Sequence, residues 1–236
     1  MTTAALCMLI SHPDISLIQT SVEAALHTRN FDEILLGVSP NFKRLPEVKA
    51  LFGSRDVRIL PGAACRDEIL PARSRLFEQA KSDWLVVIDD DDIMLGSLPL
   101  EKAGSRVGMI HGDVMSLCLT DVTGGKYKQG DIFIRYSKTI KNPADSHFFK
   151  GSSYAYRREA RQEAQRYIRP TDDFDEWRTV WIMLRLGWAD LHVPQVIQLQ
   201  RVRDFSAEVE ARKKNGMTSW RDVIREMEKR IPESKG

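Results

Sequence analysis

Little in this sequence points to cysteine chemistry, a membrane span or a polyanion partner. There are only three cysteines, Cys7, Cys65 and Cys118, far apart and with no CxxC pair. Neither a zinc cage nor a dithiol redox centre is expected from them. Cys7 and Cys118 lie in apolar runs, where a thiol behaves as a small hydrophobe. No apolar run approaches the about 20 residues of a transmembrane helix, and the start MTTAALCMLISHPD lacks the basic region of a signal peptide. Charge of one sign is lacking too. The 35 Lys and Arg against 33 Asp and Glu leave +2, which gives no reason to expect general polyanion binding. There is no Walker-A loop, no GxGxxG and no GxSxG element, so P-loop, dinucleotide-fold and α/β-hydrolase readings lose their main support. The expectation is a soluble, cytoplasmic protein with no integral membrane association.

What is present is a foldable chain. Of 236 residues, 42% are hydrophobic and five are Trp, which excludes disorder and suits one domain with a small appendage. The first half alternates short apolar runs with helical patterns. Ala4–Ile10, Glu33–Val38, Val57–Leu60 and Trp84–Ile88 read as buried strands. Between them, Asp14 is placed to cap a helix with Ile15, Ile18, Val22 and Ala25 on one face, Leu45–Phe52 reads as a short helix, and Pro71–Lys81 as a longer one. This alternation predicts an α/β fold with a Rossmann-like, mostly parallel sheet flanked by helices.

In the second half, Gly108–Leu119 and Lys126–Tyr136 suggest a hairpin around Thr123-Gly124-Gly125. Phe148–Tyr156 leads into a helix at about Arg157–Tyr167, a strong helix runs from Trp177 to Leu186, and Val193–Leu199 is a further strand. Residues 201–236 carry ten Lys/Arg and seven Asp/Glu, or +3, so the first 200 residues sum to −1. The alternating signs of that tail read as a solvated helix. The predicted organisation is a core over residues 1–206 and a helical extension over 207–236.

In a parallel sheet, ligands sit beyond the carboxyl ends of the strands. His12 and Pro13 follow the first strand, Ser39 the second, and Asp89-Asp90-Asp91-Asp92 the fourth. Four adjacent carboxylates repel one another, and a divalent cation removes that cost. Hard cations such as Mg²⁺ and Mn²⁺ favour carboxylate oxygens. An acidic turn is the ordinary alternative, but a turn needs one or two Asp rather than four.

The segment PARSRLFEQAKSDWLVVIDDDDIM (71–94) resembles family 2 glycosyltransferases of the GT-A fold. Ala72-Arg73 matches the Ala-Arg element of that family, and Asp89-x-Asp91-Asp92 its metal motif. The resemblance implies a metal-dependent transfer, inverting in the family's manner, from a nucleotide-diphosphate sugar to an acceptor hydroxyl. It implies that Asp89, with Asp90 beside it, faces the nucleotide, and that Asp91 binds Mn²⁺ or Mg²⁺ with Asp89 and Asp92 in support. Arg73 is a candidate to stabilise the charge of the leaving diphosphate.

A second acidic group, Asp172-Asp173-Phe174-Asp175-Glu176, precedes the Trp177 helix. By resemblance it matches an acidic pair at a helix start, with Asp175-Glu176 fitting the spacing best and Asp172-Asp173 the alternative if the helix starts earlier. A carboxylate there can take the proton of the acceptor hydroxyl, although helix starts favour acids without catalysis as well. The segment from Phe149 to Arg158 resembles the family's acceptor-side loop, and Arg201-Val202-Arg203 its late Arg-x-His. Arg203 stands where His is common, and Arg suits a phosphate contact rather than a metal. The second strand lacks the acid with which the family usually reads the base.

The acceptor stays open between a saccharide, another hydroxyl compound and a hydroxylated DNA base. Two rival functions are a nucleotidyltransferase on a similar scaffold and a non-catalytic nucleotide-binding domain. His111, His147 and His192 lack metal-ligand spacing and are expected to be structural.

Overall fold

The computed structural model describes residues 2–65, 68–121, 127–140, 154–169, 175–202 and 220–231. In chain order the strands are β1 (Ala4–Ile10), β2 (Glu33–Val38), β3 (Val57–Pro61), β4 (Trp84–Asp89), β5 (Ile93–Met94), β6 (Val107–Cys118), β7 (Ile132–Arg135), β8 (Tyr154–Arg157) and β9 (Ala189–Val202). The helices are α1 (Ile15–Thr28), α2 (Leu45–Leu51), α3 (Ile69–Gln79), α4 (Arg158–Gln165), α5 (Asp175–Arg185) and α6 (Trp220–Glu228). Asp14 caps α1 by accepting the Ser16 N–H at 2.9 Å, as its place before the apolar face dictates. Helix α3 begins two residues ahead of Pro71. The ring is tolerated there because the first-turn amides have no intrahelical partner. Gly187 closes α5 with φ 85°, a conformation that costs glycine nothing.

The nine strands of the described residues form one sheet in the order β3-β2-β1-β4-β8-β6-β9-β5, with β7 on β6. The first four strands pair in parallel, each buried run fed by a crossover helix. The second half mixes directions: β8 is antiparallel to both β4 and β6, whereas β9 runs parallel to β6. This sheet cannot be flat. Strand β5 follows β4 after only three residues, yet it lies four strand positions away. Four flat spacings span roughly 19 Å, while four residues reach at most about 14 Å. The sheet therefore curls until β5 meets β9, and the acidic turn closes the curl. A bulge between Gly112 and Asp113 helps β6 and β9 bend. A Cβ at Gly112 would lie 2.8 Å from Ile197 Cγ2 and 2.9 Å from Gln195 O, so the two strands meet too closely there for a side chain.

The core divides across the sheet. Leu6, Met8, Ile10, Val22, Leu36 and Trp84 lie in one cluster, and Leu76, Phe77, Tyr154, Tyr156 and Trp181 in the other. Ile224 and Met227 of α6, with Ile231 beyond it, join the second cluster. The described part of the C-terminal extension is thus packed on the core, not merely solvated; its amphipathic pattern serves burial. Among the described residues no helix is long and apolar enough to cross a membrane.

Candidate active site

The four aspartates at the end of β4 and just beyond it divide into two that turn inward and two at the rim. Asp90 is 7% exposed, and its Oδ2 accepts the N–H groups of Ser11 at 2.6 Å and His12 at 2.8 Å. The loop that carries His12 and Pro13 is thereby fastened to the turn. Burial pushes the Asp90 carboxyl up to about 6, with Asp91 and Asp89 adding repulsion and the two amide bonds opposing it. Asp92 is buried as well. Its Oδ1 accepts the Arg201 N–H at 3.1 Å, and its Oδ2 accepts the Gln198 side-chain amide. Both oxygens of Asp92 thus hold β9 against the turn, which gives this residue, expected among the metal ligands, a supporting place.

Asp89 and Asp91 are partly exposed at the carboxyl edge of β4. Arg73, buried on α3, donates through Nη2 to Asp89 Oδ1 at 2.7 Å. The Ala-Arg element and the first Asp of the motif, 16 residues apart, are thus one ion pair. His12 Nδ1 accepts the Asp14 N–H at 3.0 Å, which leaves Nε2 as the protonated nitrogen of the neutral ring. Ser39 is buried beside the end of β1, its N–H donating to Ile10 O at 2.9 Å. Asp175 and Glu176 open α5. Asp172, Asp173 and Arg203 lie outside the described residues.

Arg201 opens the late segment that resembles the family's Arg-x-His. Arg201 on β9 is 9% exposed, and its Nη1 is buried with no hydrogen-bond partner. A buried guanidinium without full compensation is costly. It sits next to the acidic turn, since its own backbone N–H is held by Asp92. The Arg-x-His resemblance singled out its segment, but its burial had no signal in the sequence.

Two further acids are used in another way. His111 Nε2 meets Asp190 Oδ2 at 2.9 Å and His192 Nε2 meets Asp113 Oδ1 at 3.0 Å, with the rings 5.3 Å apart across the β6–β9 seam. Asp113 also accepts the Ser137 N–H at 2.8 Å, and Asp190 the Ile140 N–H at 3.0 Å. Burial holds His111 below its ordinary pKa, against the pull of Asp190. The seam pins the chain that follows β7.

Among the described residues no group of three or more His, Cys, Asp or Glu side chains is disposed to hold a metal ion. Mg²⁺-like cations, however, are commonly held by one or two carboxylates together with substrate phosphates. A rim bearing Asp89 and Asp91, with Arg201 nearby, has the donor set for that mode.

No protein-family model matches the chain, and no curated protein matches it in sequence. Solved structures do. GalNAc-T7, with UDP, GalNAc and Mn²⁺, aligns over 86% of this chain and 44% of its own at 16% identity and TM-score 0.61. S. aureus TarS 1-349 with UDP-GlcNAc aligns over 86% and 59% at 11% identity and TM-score 0.58. The Pyrobaculum calidifontis mannosyltransferase PcManGT, with GDP-Man and Mn²⁺, aligns over 84% and 56% at 12% identity and TM-score 0.55. The fold is GT-A. The chain spans about half the length of these structures, and at such identities the GT-A likeness speaks for architecture; the chemistry must be argued from this chain's own residues.

Proposed function

We propose that this protein is a metal-dependent glycosyltransferase that moves a sugar, with inversion, from a nucleotide-diphosphate sugar to an acceptor hydroxyl. The observation that carries this reading is the pairing of opposite charges at one edge. The acidic turn at the end of β4 is backed by Arg201, a buried and incompletely satisfied cation. A diphosphate answers both needs, since its oxygens satisfy the guanidinium and share a divalent cation with the carboxylates. The solved GT-A structures with UDP, UDP-GlcNAc or GDP-Man, two of them with Mn²⁺, support the same assignment.

Asp91 is the carboxylate for Mn²⁺ or Mg²⁺, with Asp89 beside it and Asp92 fixing the turn on β9. The bound cation would act as a Lewis acid on the leaving diphosphate. Arg73 orients Asp89 toward the nucleotide, and Arg201, with Arg203 two residues on, receives phosphate oxygens. His12, Pro13 and Ser39 line the nucleotide side, where Asp90 keeps the first loop in place. Asp175 or Glu176, with Asp173 as the alternative, takes the acceptor proton. We place the transferase core at residues 1–206, with 207–236 as an extension; the free thiols Cys7, Cys65 and Cys118 suit a reducing, cytoplasmic setting.

The test is a thermal-shift screen of UDP, GDP and their sugars with and without Mn²⁺, on the wild-type chain and on Arg201→Met. Ligands that bind the folded state raise the midpoint. A metal-dependent rise is expected in the wild type. Arg201→Met is expected to keep or raise the midpoint of the unliganded chain and to weaken nucleotide binding at least about tenfold. No metal-dependent rise with any nucleotide would sink the assignment.

A further inference from the structure

We infer that Gln198 is a positioning residue, whose buried side-chain amide sets the acidic turn and so delivers Asp91 to the cation. The inference rests on the transferase reading above. Asp91 stands between two anchored neighbours. Asp90 is tied to the loop after β1 by the Ser11 and His12 N–H groups, and Asp92 to β9 by the Arg201 N–H and the Gln198 side chain. The Asp92 N–H closes the turn on Asp89 O at 3.2 Å, so the placement of Asp92 carries Asp91 with it. Three of the four anchoring bonds come from backbone amides, which any residue but proline supplies. Only the bond from Gln198 depends on which side chain stands there.

A glutamine at this depth needs a reason. Gln198 is 0% exposed, and glutamine is a residue that mostly stays at the surface because burying its amide is costly. Its backbone is held on both sides, by pairing with Val114 of β6 and with Met94 of β5. Strand β5 starts at Ile93, immediately after Asp92. The bond therefore spans the point at which the turn joins the curled sheet. A group rooted in regular strands holds its partner more closely than one carried on a loop.

The kind of donor matters as much as its place. Arg73 sets a cation against Asp89, whereas Gln198 gives Asp92 a hydrogen bond and no charge. Asp92 is 1% exposed, so its carboxylate acts on the rim with little screening and favours a cation there. A lysine or arginine at position 198 could also hold the turn, but its charge would cancel that attraction. Gln198 thus orients the turn and leaves its negative charge intact.

The experiment measures Mn²⁺ binding in the presence of UDP, and of GDP, from the electron paramagnetic resonance of free Mn²⁺. Each full-length chain is held well below its melting midpoint. Gln198→Met nearly keeps the length of glutamine and lacks the donor. It is expected to weaken Mn²⁺ binding about tenfold or more, the loss that follows removal of a group orienting a metal ligand. Gln198→Met combined with Asp92→Asn removes the stranded charge as well, and keeps the test open if the single variant fails to fold. Because the amide acts through Asp92, the losses should not add, and the double variant should bind within about threefold of Asp92→Asn alone. Binding by Gln198→Met within about twofold of wild type, or fully additive losses, overturns the proposal. That holds even if the melting midpoint falls, since a bond serving only the fold changes stability and not the affinity of the folded chain. A wild type that binds no Mn²⁺ with either nucleotide strikes the transferase reading, and this role with it. Binding kept by wild type and variant alike strikes the role of Gln198 alone.

Discussion

The acidic turn after β4 and the His–Asp seam between β6 and β9 both bury carboxylates, and they satisfy them by different means. In the turn, amides do the work: Asp90 takes the backbone N–H groups of Ser11 and His12, and Asp92 takes that of Arg201 and the side-chain amide of Gln198. In the seam, each carboxylate takes one imidazole and one amide from the chain after β7. Amides do not titrate and imidazoles do. The donors of the first arrangement keep their protons at any ordinary pH, whereas the second depends on a histidine staying neutral. The turn also leaves Asp89 and Asp91 partly exposed at its rim, whereas the seam carboxylates Asp113 and Asp190 are buried.

The largest expected break in that comparison is Asp91→Asn. Metal-dependent hydrolysis of the donor should drop about a thousandfold, ~4 kcal/mol, with an unchanged melting midpoint. A variant turning over at the wild-type rate removes Asp91 from the reaction. Asp92→Ala comes next and acts on stability. It strands the Gln198 amide and the Arg201 N–H, both buried, so denaturant unfolding should show a loss of about 3 kcal/mol; a loss confined to activity would mean that Asp92 serves the ligand and not the fold.

The two regions should also pull in opposite directions as pH changes. His111 has a folded-state pKa below its unfolded value of 6.5, so the unfolded chain binds the extra proton and stability falls as pH drops below about 6.5. His111→Gln should flatten that slope, which a single group limits to about 1.4 kcal/mol per pH unit. Asp90, raised from 3.8 to about 6, works the other way: the folded chain holds the proton longer, and stability declines as pH rises from about 4 to 6. Asp90→Asn should remove that decline. Chemical unfolding across this pH range decides both; identical profiles in wild type and variants would show that neither group controls the slope. The smallest effect is expected far from both regions. Asp14→Ala removes the α1 cap and should cost about 1 kcal/mol, read by the same unfolding curves, with the metal-dependent response untouched.

The same contrast explains how much was legible in the sequence. The turn is a run of four identical residues at the end of an apolar strand, and both the strand and its position at the ligand edge follow from local pattern. Ala4–Ile10 and Glu33–Val38 stand in the structure as the apolar runs place them, because strands buried on both faces must be continuously apolar. The seam joins His111 to Asp190 across 79 positions, and no spacing rule reaches so far. Strand β9 begins at Ala189, four residues ahead of the expected Val193. Its start is half polar because it runs along a curled and partly open edge. Which aspartates of the run turn inward was not legible either, nor was the burial of Arg201. Both depend on β9 arriving beside the turn, and that is a property of the curl.

That arrival has a consequence for when the site comes into being. The partners of Asp92, Gln198 and Arg201, lie 106 and 109 residues away along the chain. Contacts of such long reach close late, after the nearby parallel pairings of β1, β2 and β4 have lowered the entropy of bringing them together. During synthesis the acidic turn emerges well before the strand that fixes it. A nascent chain ending before β9 is expected to carry its four aspartates without the geometry to use them, so the nucleotide binding proposed above would report the last stage of folding and not the first.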